Sequence, residues 1–415
     1  MKDILPEEAY YRQDIEEKAK FVFNLYGYKP IVTPILEDAA LFNRSLGQDT
    51  EIVIKQMFLV DRGGESYCLR PEATAGVARA YLENGLDKIS NGFVKLYYIC
   101  PMFRAERPQK GRLRQFYHIG VEAIGSNSPF IDSEIIGLAD KILKTIGISG
   151  YTIKLNSLGC VSDRNKFKDI LSDKLKGSLK NLCPDCNGRY SRNVFRILDC
   201  KNEGCKEAVG QLKITHSAYL CPDCVRHFET VRKNLDALSI NYSLAPALVR
   251  GLDYYTRSVF EISHPRLGSQ DAIGAGGRYD HLIHQLGGPE AGAVGFALGV
   301  ERLLLAAENR LEAAGQIKVF VVVLGEEAKK QGFALVNRLR SENVSSDMDY
   351  EDRSLKGQMR RANDLGVKHV LIIGEDELKK NVVTLKDMAS GEQEEVKTED
   401  IVNRLITNDK TQSTK

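Results

Sequence analysis

Five cations fall within eleven residues, from Arg104 to Arg114, in the stretch Phe103-Arg104-Ala105-Glu106-Arg107-Pro108-Gln109-Lys110-Gly111-Arg112-Leu113-Arg114-Gln115-Phe116. Strand-like segments flank it on both sides, so it reads as the tip of a hairpin. A basic hairpin tip is ordinarily a solvated surface, but two features here point to a ligand. Arg104 closes an apolar strand, where a bare cation is costly unless it meets an anion, and arginine forks suit phosphate oxygens. Phe116, at the other end, offers a flat face on which a base can stack. Glu122 lies within the apolar run Ile119–Ile124, where a carboxylate without a partner is expensive. Gly295 and Gly299 open room for a ligand to approach the backbone beside Arg302; without one, Arg302 is a helix-surface cation.

The cysteines pose a second question. Cys183-Pro184-Asp185-Cys186 and Cys221-Pro222-Asp223-Cys224 are identical knuckles, with Cys200 and Cys205 between them. The total of nine is odd, and the N-terminus is polar and acidic rather than signal-like, which disfavours a disulfide framework. Cys183, Cys186, Cys221 and Cys224 suit a structural zinc with four thiolates; a reduced, packed cysteine cluster is the alternative. Cys68, Cys100 and Cys160 sit in apolar contexts and read as core.

A net charge of only +2 means that the field of the whole molecule does not advertise nucleic acid, so any RNA contact falls to local basic patches. Apolar and charged shares of 43% and 27% exclude disorder as a description of the chain. No run of about 18 apolar residues is present, and the expectation is a cytoplasmic protein with no membrane partner.

Positioning these groups requires a scaffold. Residues 7–27 read as an amphipathic helix with Ile15, Ala19, Val22, Leu25 and Tyr26 at helical spacing and Gly27 as its stop. Tyr28–Leu36, broken by Pro30 and Pro34, suits an edge or interface strand. Strand-like runs at Lys95–Cys100, Tyr117–Ile124, Tyr151–Leu155 and Ser258–Ile262 are mostly not separated by long helical patterns, which favours an antiparallel sheet. Residues 163–235, rich in Lys, Asn and Cys, look like an inserted module. A helix is expected from Glu301 to about Ala314. Beyond it, Lys318–Leu324, a helix, strand 344–350, helix 354–365 and strand Val367–Gly374 alternate as in a small α/β domain over 316–406, followed by a flexible tail, 407–415.

The basic hairpin resembles the second signature motif of class II aminoacyl-tRNA synthetases, in the form found in histidyl-tRNA synthetases. Leu69-Arg70-Pro71-Glu72-Ala73-Thr74 resembles that family's amino-acid-binding turn, and Leu248-Val249-Arg250-Gly251-Leu252-Asp253-Tyr254-Tyr255 resembles its histidine signature. Gly274-Ala275-Gly276-Gly277-Arg278-Tyr279-Asp280 is similar to its glycine-rich loop, and Gly295-Phe296-Ala297-Leu298-Gly299-Val300-Glu301-Arg302 to the third class II motif. The first helix, Gly27 and Pro34 resemble the first motif, at a dimer interface. These motifs run in order along nearly the whole chain.

The resemblance implies an α+β fold: a class II catalytic domain on an antiparallel sheet flanked by helices, over 1–315, with the inserted module, then an α/β anticodon-binding domain. It implies a homodimer that activates L-histidine with ATP and Mg2+ and transfers it to histidine tRNA. Arg104 would hold the α-phosphate, Arg250 would supplement magnesium there, and Arg302 would lie over the adenine with Phe116 on its other face; these three arginines would carry catalysis, with Arg112 also on ATP. Glu122 and Tyr255 would meet the imidazole, while Glu72, Ala73, Thr74 and Tyr254 line the ammonium side and Arg104 and Arg250 adjoin the substrate. Arg107, Gln109 and Arg114 would touch the tRNA acceptor end. Lys356, Arg360 and Arg361, on one helix, could meet anticodon phosphates, though a solvated face is the ordinary role of such residues.

Two departures stand out. Most of the family reads Gln-Phe-His-Gln where this chain reads Gln115-Phe116-Tyr117-His118. His118 can replace the glutamine at the substrate amino group only as a neutral acceptor; otherwise it fills space. The family also carries Arg-Gly a few residues ahead of the equivalent of Asp3, whereas this chain begins Met1-Lys2. A histidine-binding regulatory paralogue is the main competing reading, but such proteins erode the Arg-Gly-Leu-Asp-Tyr-Tyr signature and lack the C-terminal domain. A nucleic-acid-sensing module would need fused partner domains.

Overall fold

The computed structural model describes all residues except 1, 48–49, 213, 269–270, 308–316 and 413–415, and the side chains of 90, 217 and 407–412. The chain divides into two compact units, residues 1–311 and 312–415.

The first unit is organised by an eight-stranded sheet. Its strands run in the order Lys29–Pro30, Val94–Phe103, Gln115–Ile124, Ala293–Gly299, Ala272–Arg278, Thr256–Ser263, Thr152–Ser157, Tyr242–Leu244. The six inner strands pair antiparallel and the two short outer ones parallel, so the expected antiparallel sheet is present. Strand alternation divides its residues between two faces. Ile119, Val121 and Ala123, with Val294, Phe296, Leu298, Ile153, Leu155, Phe260 and Ile262, form one core with helices Pro6–Leu25, Pro129–Ile146 and Pro222–Ala237. The first helix starts with Pro6 and carries Glu7 and Glu8 in its first turn, which suits the positive end of the helix dipole. The second is capped by Ser128, whose Oγ accepts from the Phe130 N–H, and ends at Gly147 in the left-handed region.

The opposite face of the sheet carries small residues. The register pairs Glu122 with Gly295, Gly120 with Ala297 and His118 with Gly299, then Ala297 with Ala275 and Gly295 with Gly277. That run of Gly and Ala leaves a trough between flanking elements.

The insertion has its own core, built from Phe167, Leu171, Leu175, Val194, Ile197 and buried cysteines. The helix Pro222–Ala237, which composition groups with the insertion, sends Phe228, Val231 and Leu235 into the main core instead. The helix after Gly299 runs over Val300–Ala306 and stops at Ala307, whose backbone is extended, earlier than the expected end near Ala314; residues 308–316 lie outside the described residues.

The second unit holds a five-stranded sheet, Ser346–Met348, Val319–Val323, His369–Ile373, Val382–Asp387, Gln393–Lys397, in that order. The first three are parallel, as the strand–helix alternation suggests, but the last two add antiparallel, and that hairpin carries too little apolar alternation to be read from sequence. Helix Ile401–Gln412 anchors Ile401, Val402 and Leu405 in the core, and its backbone runs on into the segment expected as a tail. On helix Leu355–Asp364, Lys356 and Arg360 are exposed, one helical turn apart. Arg361 instead lies 3.5 Å from Asp347 and 3.8 Å from Asp349, over the Phe320 ring.

Candidate active site

The trough opens into a cleft of about 280 Å³, and its walls differ in chemistry. At one end stands Glu122, 1% exposed. Its Oε1 accepts hydrogen bonds from Thr74 Oγ1 at 2.7 Å and Tyr98 OH at 3.2 Å, and its Oε2 accepts from Tyr279 OH. Burial pushes its carboxyl up to about 8, against the pull of those hydroxyls. Glu72, also buried, accepts from the backbone N–H of Thr74 at 2.8 Å and of Ala75 at 2.9 Å, at the start of helix Thr74–Glu83. Burial likewise raises its carboxyl, with those N–H groups opposing. Tyr254 and Tyr255 pack against each other with ring centres 4.8 Å apart, and Tyr254 meets Tyr279 edge-on. Gly295 is indispensable to this end: a Cβ there would sit 1.9 Å from Glu122 Oε2.

Arginines line the other end. Arg104 Nε donates to the Pro71 carbonyl at 2.9 Å, and its guanidinium lies 5.3 Å over the Phe116 ring centre. Arg302 Nε donates to Gly111 O at 3.2 Å and its Nη1 to Ala272 O. Arg250 Nη1 donates to Glu261 Oε2 at 2.6 Å, and the other Glu261 oxygen faces Lys154 at 3.4 Å. Burial lowers the pKa of Arg104 and Arg302, and neighbouring Arg112 adds to the effect at Arg302. Cations held this close favour an anion between them.

His118 lies between the two ends, its ring 5.1 Å from that of Phe116. The imidazole edge borders the cleft, yet its Nδ1 is sealed without a hydrogen-bond partner. Burial first, then Arg104 and Arg302, push its pKa down to about 3, so it is a neutral ring at physiological pH.

Glu72, Ala73, Thr74, Arg104, Arg112, Phe116, His118, Glu122, Arg250, Tyr254, Tyr255 and Arg302 therefore border one cleft although they are far apart in sequence. Arg107, Gln109 and Arg114 do not border it; they are exposed on the hairpin loop, where Gln109 and Arg112 exchange backbone hydrogen bonds. Sequence reading missed Tyr98, Tyr279 and Glu261. Tyr98 and Glu261 were discoverable by strand alternation, since Tyr98 opposes Gly120 and Glu261 opposes Ala275 on the cleft face. Tyr279 lay within a recognised motif but just past its strand. Asp199 and Lys201 also reach the cleft, from the insertion, with no sequence signal.

Arg278, in the same glycine-rich segment, is fully buried and serves structure. It pairs with Asp132 and, at 2.9 Å, with Asp280.

The expected thiolate set is corrected. The two knuckles do not meet: Cys183 and Cys186 group with Cys200 and Cys205, whereas Cys221 and Cys224 group with Cys160 and Asp163. Identical local spacing cannot say which pairs converge; the helices between them decide it. Cys160, expected in the core, is half-buried beside the second knuckle, while Cys68 and Cys100 are buried as expected.

Comparison with known proteins matches residues 1–303 to the model for histidyl-tRNA synthetase and residues 318–408 to that for an anticodon binding domain. The chain is 44% identical over 408 residues to the histidine–tRNA ligase of Natranaerobius thermophilus, covering 97% of each. It is 45% identical over 404 residues to that of Desulforamulus reducens, covering 96% of each. The crystal structure of apo histidyl-tRNA synthetase from S. aureus is similar with a TM-score of 0.79 at 34% identity, over 97% of each chain.

Proposed function

The chain belongs to the histidyl-tRNA synthetase family, and from that premise we propose how its cleft divides the work. The enzyme joins L-histidine to histidine tRNA using ATP with magnesium. The histidine carboxylate attacks the α-phosphorus, pyrophosphate leaves, and the tRNA 3′ hydroxyl then displaces AMP.

The observation that carries the assignment is the polarity of the cleft, with buried acids and hydroxyls at one end and arginines at the other. Glu122 receives the imidazole, with Tyr255 beside it, because only a polar site separates histidine from its apolar isosteres. Glu72, with Ala73, Thr74 and Tyr254, faces the α-ammonium. His118, held neutral, offers a lone pair to the amino group where relatives use glutamine. Arg104 and Arg250 bracket the α-phosphate, where charge builds in the transition state. Magnesium enters with ATP. Arg302 and Phe116 take opposite faces of the adenine, and Arg112 reaches the outer phosphates. Exposed Arg107, Gln109 and Arg114 meet the tRNA acceptor end, a readable single strand. In the C-terminal unit, Lys356 and Arg360 are better placed for phosphates than Arg361, which is occupied by Asp347 and Asp349.

Val32 is 92% exposed and Leu59 58%, with Ile35, Leu36 and Val60 also open to solvent. Such an apolar surface beside the first motif supports a homodimer. Among the described residues no helix is long and apolar enough to cross a membrane, which fits a cytoplasmic site of action. The cysteine-rich insertion has a structural part, with a thiolate-held zinc.

The test is ATP–pyrophosphate exchange with each amino acid in turn. Exchange supported by histidine alone is the expected result. Histidine binding without exchange would favour the regulatory reading.

A further inference from the structure

The insertion carries a sulfur constellation that the chemistry of aminoacylation does not use. The Sγ atoms of Cys183, Cys186, Cys200 and Cys205 all lie within 4.8 Å of one another, with Cys183 and Cys200 at 3.8 Å. A tetrahedral zinc with bonds of about 2.3 Å sets its sulfurs about 3.8 Å apart. A disulfide would need about 2.05 Å, and thiolates on an iron–sulfur cube stand outside its irons and so farther from one another.

The surroundings suit concentrated negative charge. Cys183 caps helix Pro184–Arg192 and Cys186 lies in its first turn, while Cys205 lies in the first turn of helix Glu203–Gly210. Two positive helix ends therefore meet at the sulfurs. The Cys183 N–H donates to Cys205 Sγ at 3.2 Å, and Arg189 Nη1 approaches Cys186 Sγ at 4.0 Å.

We propose that Cys183, Cys186, Cys200 and Cys205 bind one zinc ion, and that this ion positions the loop bearing Arg250. The segment between Cys186 and Cys200 touches that loop, alongside Arg164, whose Nη1 donates to the Asp253 carbonyl at 2.5 Å. Asn193 Nδ2 donates to Asp253 Oδ1 at 3.3 Å and Arg196 Nη2 to Gly251 O at 2.6 Å, on either side of Leu252. Arg189 Nη2 also reaches Glu51 at 2.6 Å. Closing the segment at both ends fixes the side chains that hold the loop.

The second group is a hydrogen-bonded clamp. Asp163 Oδ1 accepts from the Cys221 N–H at 3.0 Å and Oδ2 from the Cys160 N–H at 3.3 Å, and these bonds close the neck of the insertion.

The experiment is metal analysis of the full-length enzyme purified under reducing conditions, alongside Cys200→Ser, Cys205→Ser and Cys221→Ser. One zinc per chain is expected, retained in Cys221→Ser and lost in the other two. Cobalt substitution of the wild type should give the charge-transfer and d–d bands of a tetrahedral four-thiolate site. If the serine variants do not fold, releasing zinc from the wild type by titrating its thiols with a mercurial supplies the same count. Zinc loss should lower kcat for histidine-dependent exchange by about ten- to a hundredfold, with a smaller change in the histidine KM. This kinetic arm rests on the role given to Arg250, and the metal count does not. A folded wild type with nine free thiols and no metal, or a Cys183–Cys200 disulfide, overturns the site. A second zinc lost in Cys221→Ser overturns the clamp, and zinc loss without kinetic effect overturns the positioning role.

Discussion

Replacing Glu122 by glutamine keeps the shape of the deepest acid in the cleft and removes its charge. Burial holds the carboxyl up to about 8, while an ordinary glutamate sits at 4.5. At 1.36 kcal/mol per pKa unit, ionising it there costs up to about 5 kcal/mol. The folded protein therefore binds this proton more tightly than the unfolded chain. Its contribution to stability is fully present below about 4.5 and is lost as pH rises through about 8. Histidine recognition runs the other way, because the carboxylate is the form that accepts from the imidazole N–H. Between about pH 7 and 8.5 the substrate ring is neutral, and kcat/KM for histidine should rise about eightfold as Glu122 ionises.

In Glu122→Gln that rise should flatten. A hydrogen bond to a charged group contributes about 1.5–3 kcal/mol, so kcat/KM for histidine should fall by about ten- to 150-fold at the upper pH, with the ATP KM changed little. Thr74, Tyr98 and Tyr279 can rotate their hydroxyls to accept from the new amide, so the variant should fold. Its urea midpoint should also lose the wild type's decline toward high pH. The assay is pyrophosphate exchange across that range, paired with urea unfolding. Exchange within about twofold of wild type throughout would refute the assignment of Glu122 to the imidazole.

Arg250→Ala should cut adenylate formation by about a hundredfold or more with little change in histidine affinity, as loss of a group that stabilises developing charge does; near-normal exchange would count against it. Gly295→Ala places a Cβ 1.9 Å from Glu122 Oε2 and 2.4 Å from Val121 O. It should lower stability by about 1–3 kcal/mol in thermal unfolding and raise the histidine KM at least about tenfold. His118, with its pKa at about 3, favours the fold only while neutral, so its contribution is present above about 6.5 and is lost as pH falls toward about 3. His118→Gln should therefore unfold at lower pH than wild type and leave the histidine KM within about threefold at pH 7.5, both readable by circular dichroism and exchange.

Sequence alone determined the parts of this protein that depend on short spacing. The burial cost of a lone Glu within the apolar run Ile119–Ile124 marked Glu122 as partnered before any partner was visible. The antiparallel sheet was legible at its central hairpin, where Val94–Phe103 and Gln115–Ile124 follow each other with no helix between, whereas helix Pro129–Ile146 and the insertion lie between later strands. Tertiary structure alone decided which distant groups meet. Glu122 finds its hydroxyls 48, 24 and 157 residues away, at Thr74, Tyr98 and Tyr279. The two knuckles are locally identical, and the intervening helices separate them into different clusters. The hairpin Val382–Lys397 is mostly exposed on its outer strand, so it lacked the periodic apolar signal that burial writes into a sequence. Local patterns report local geometry, whereas pairing across a sheet or between helices is chosen by packing of the whole chain, and that choice leaves no mark at any single position.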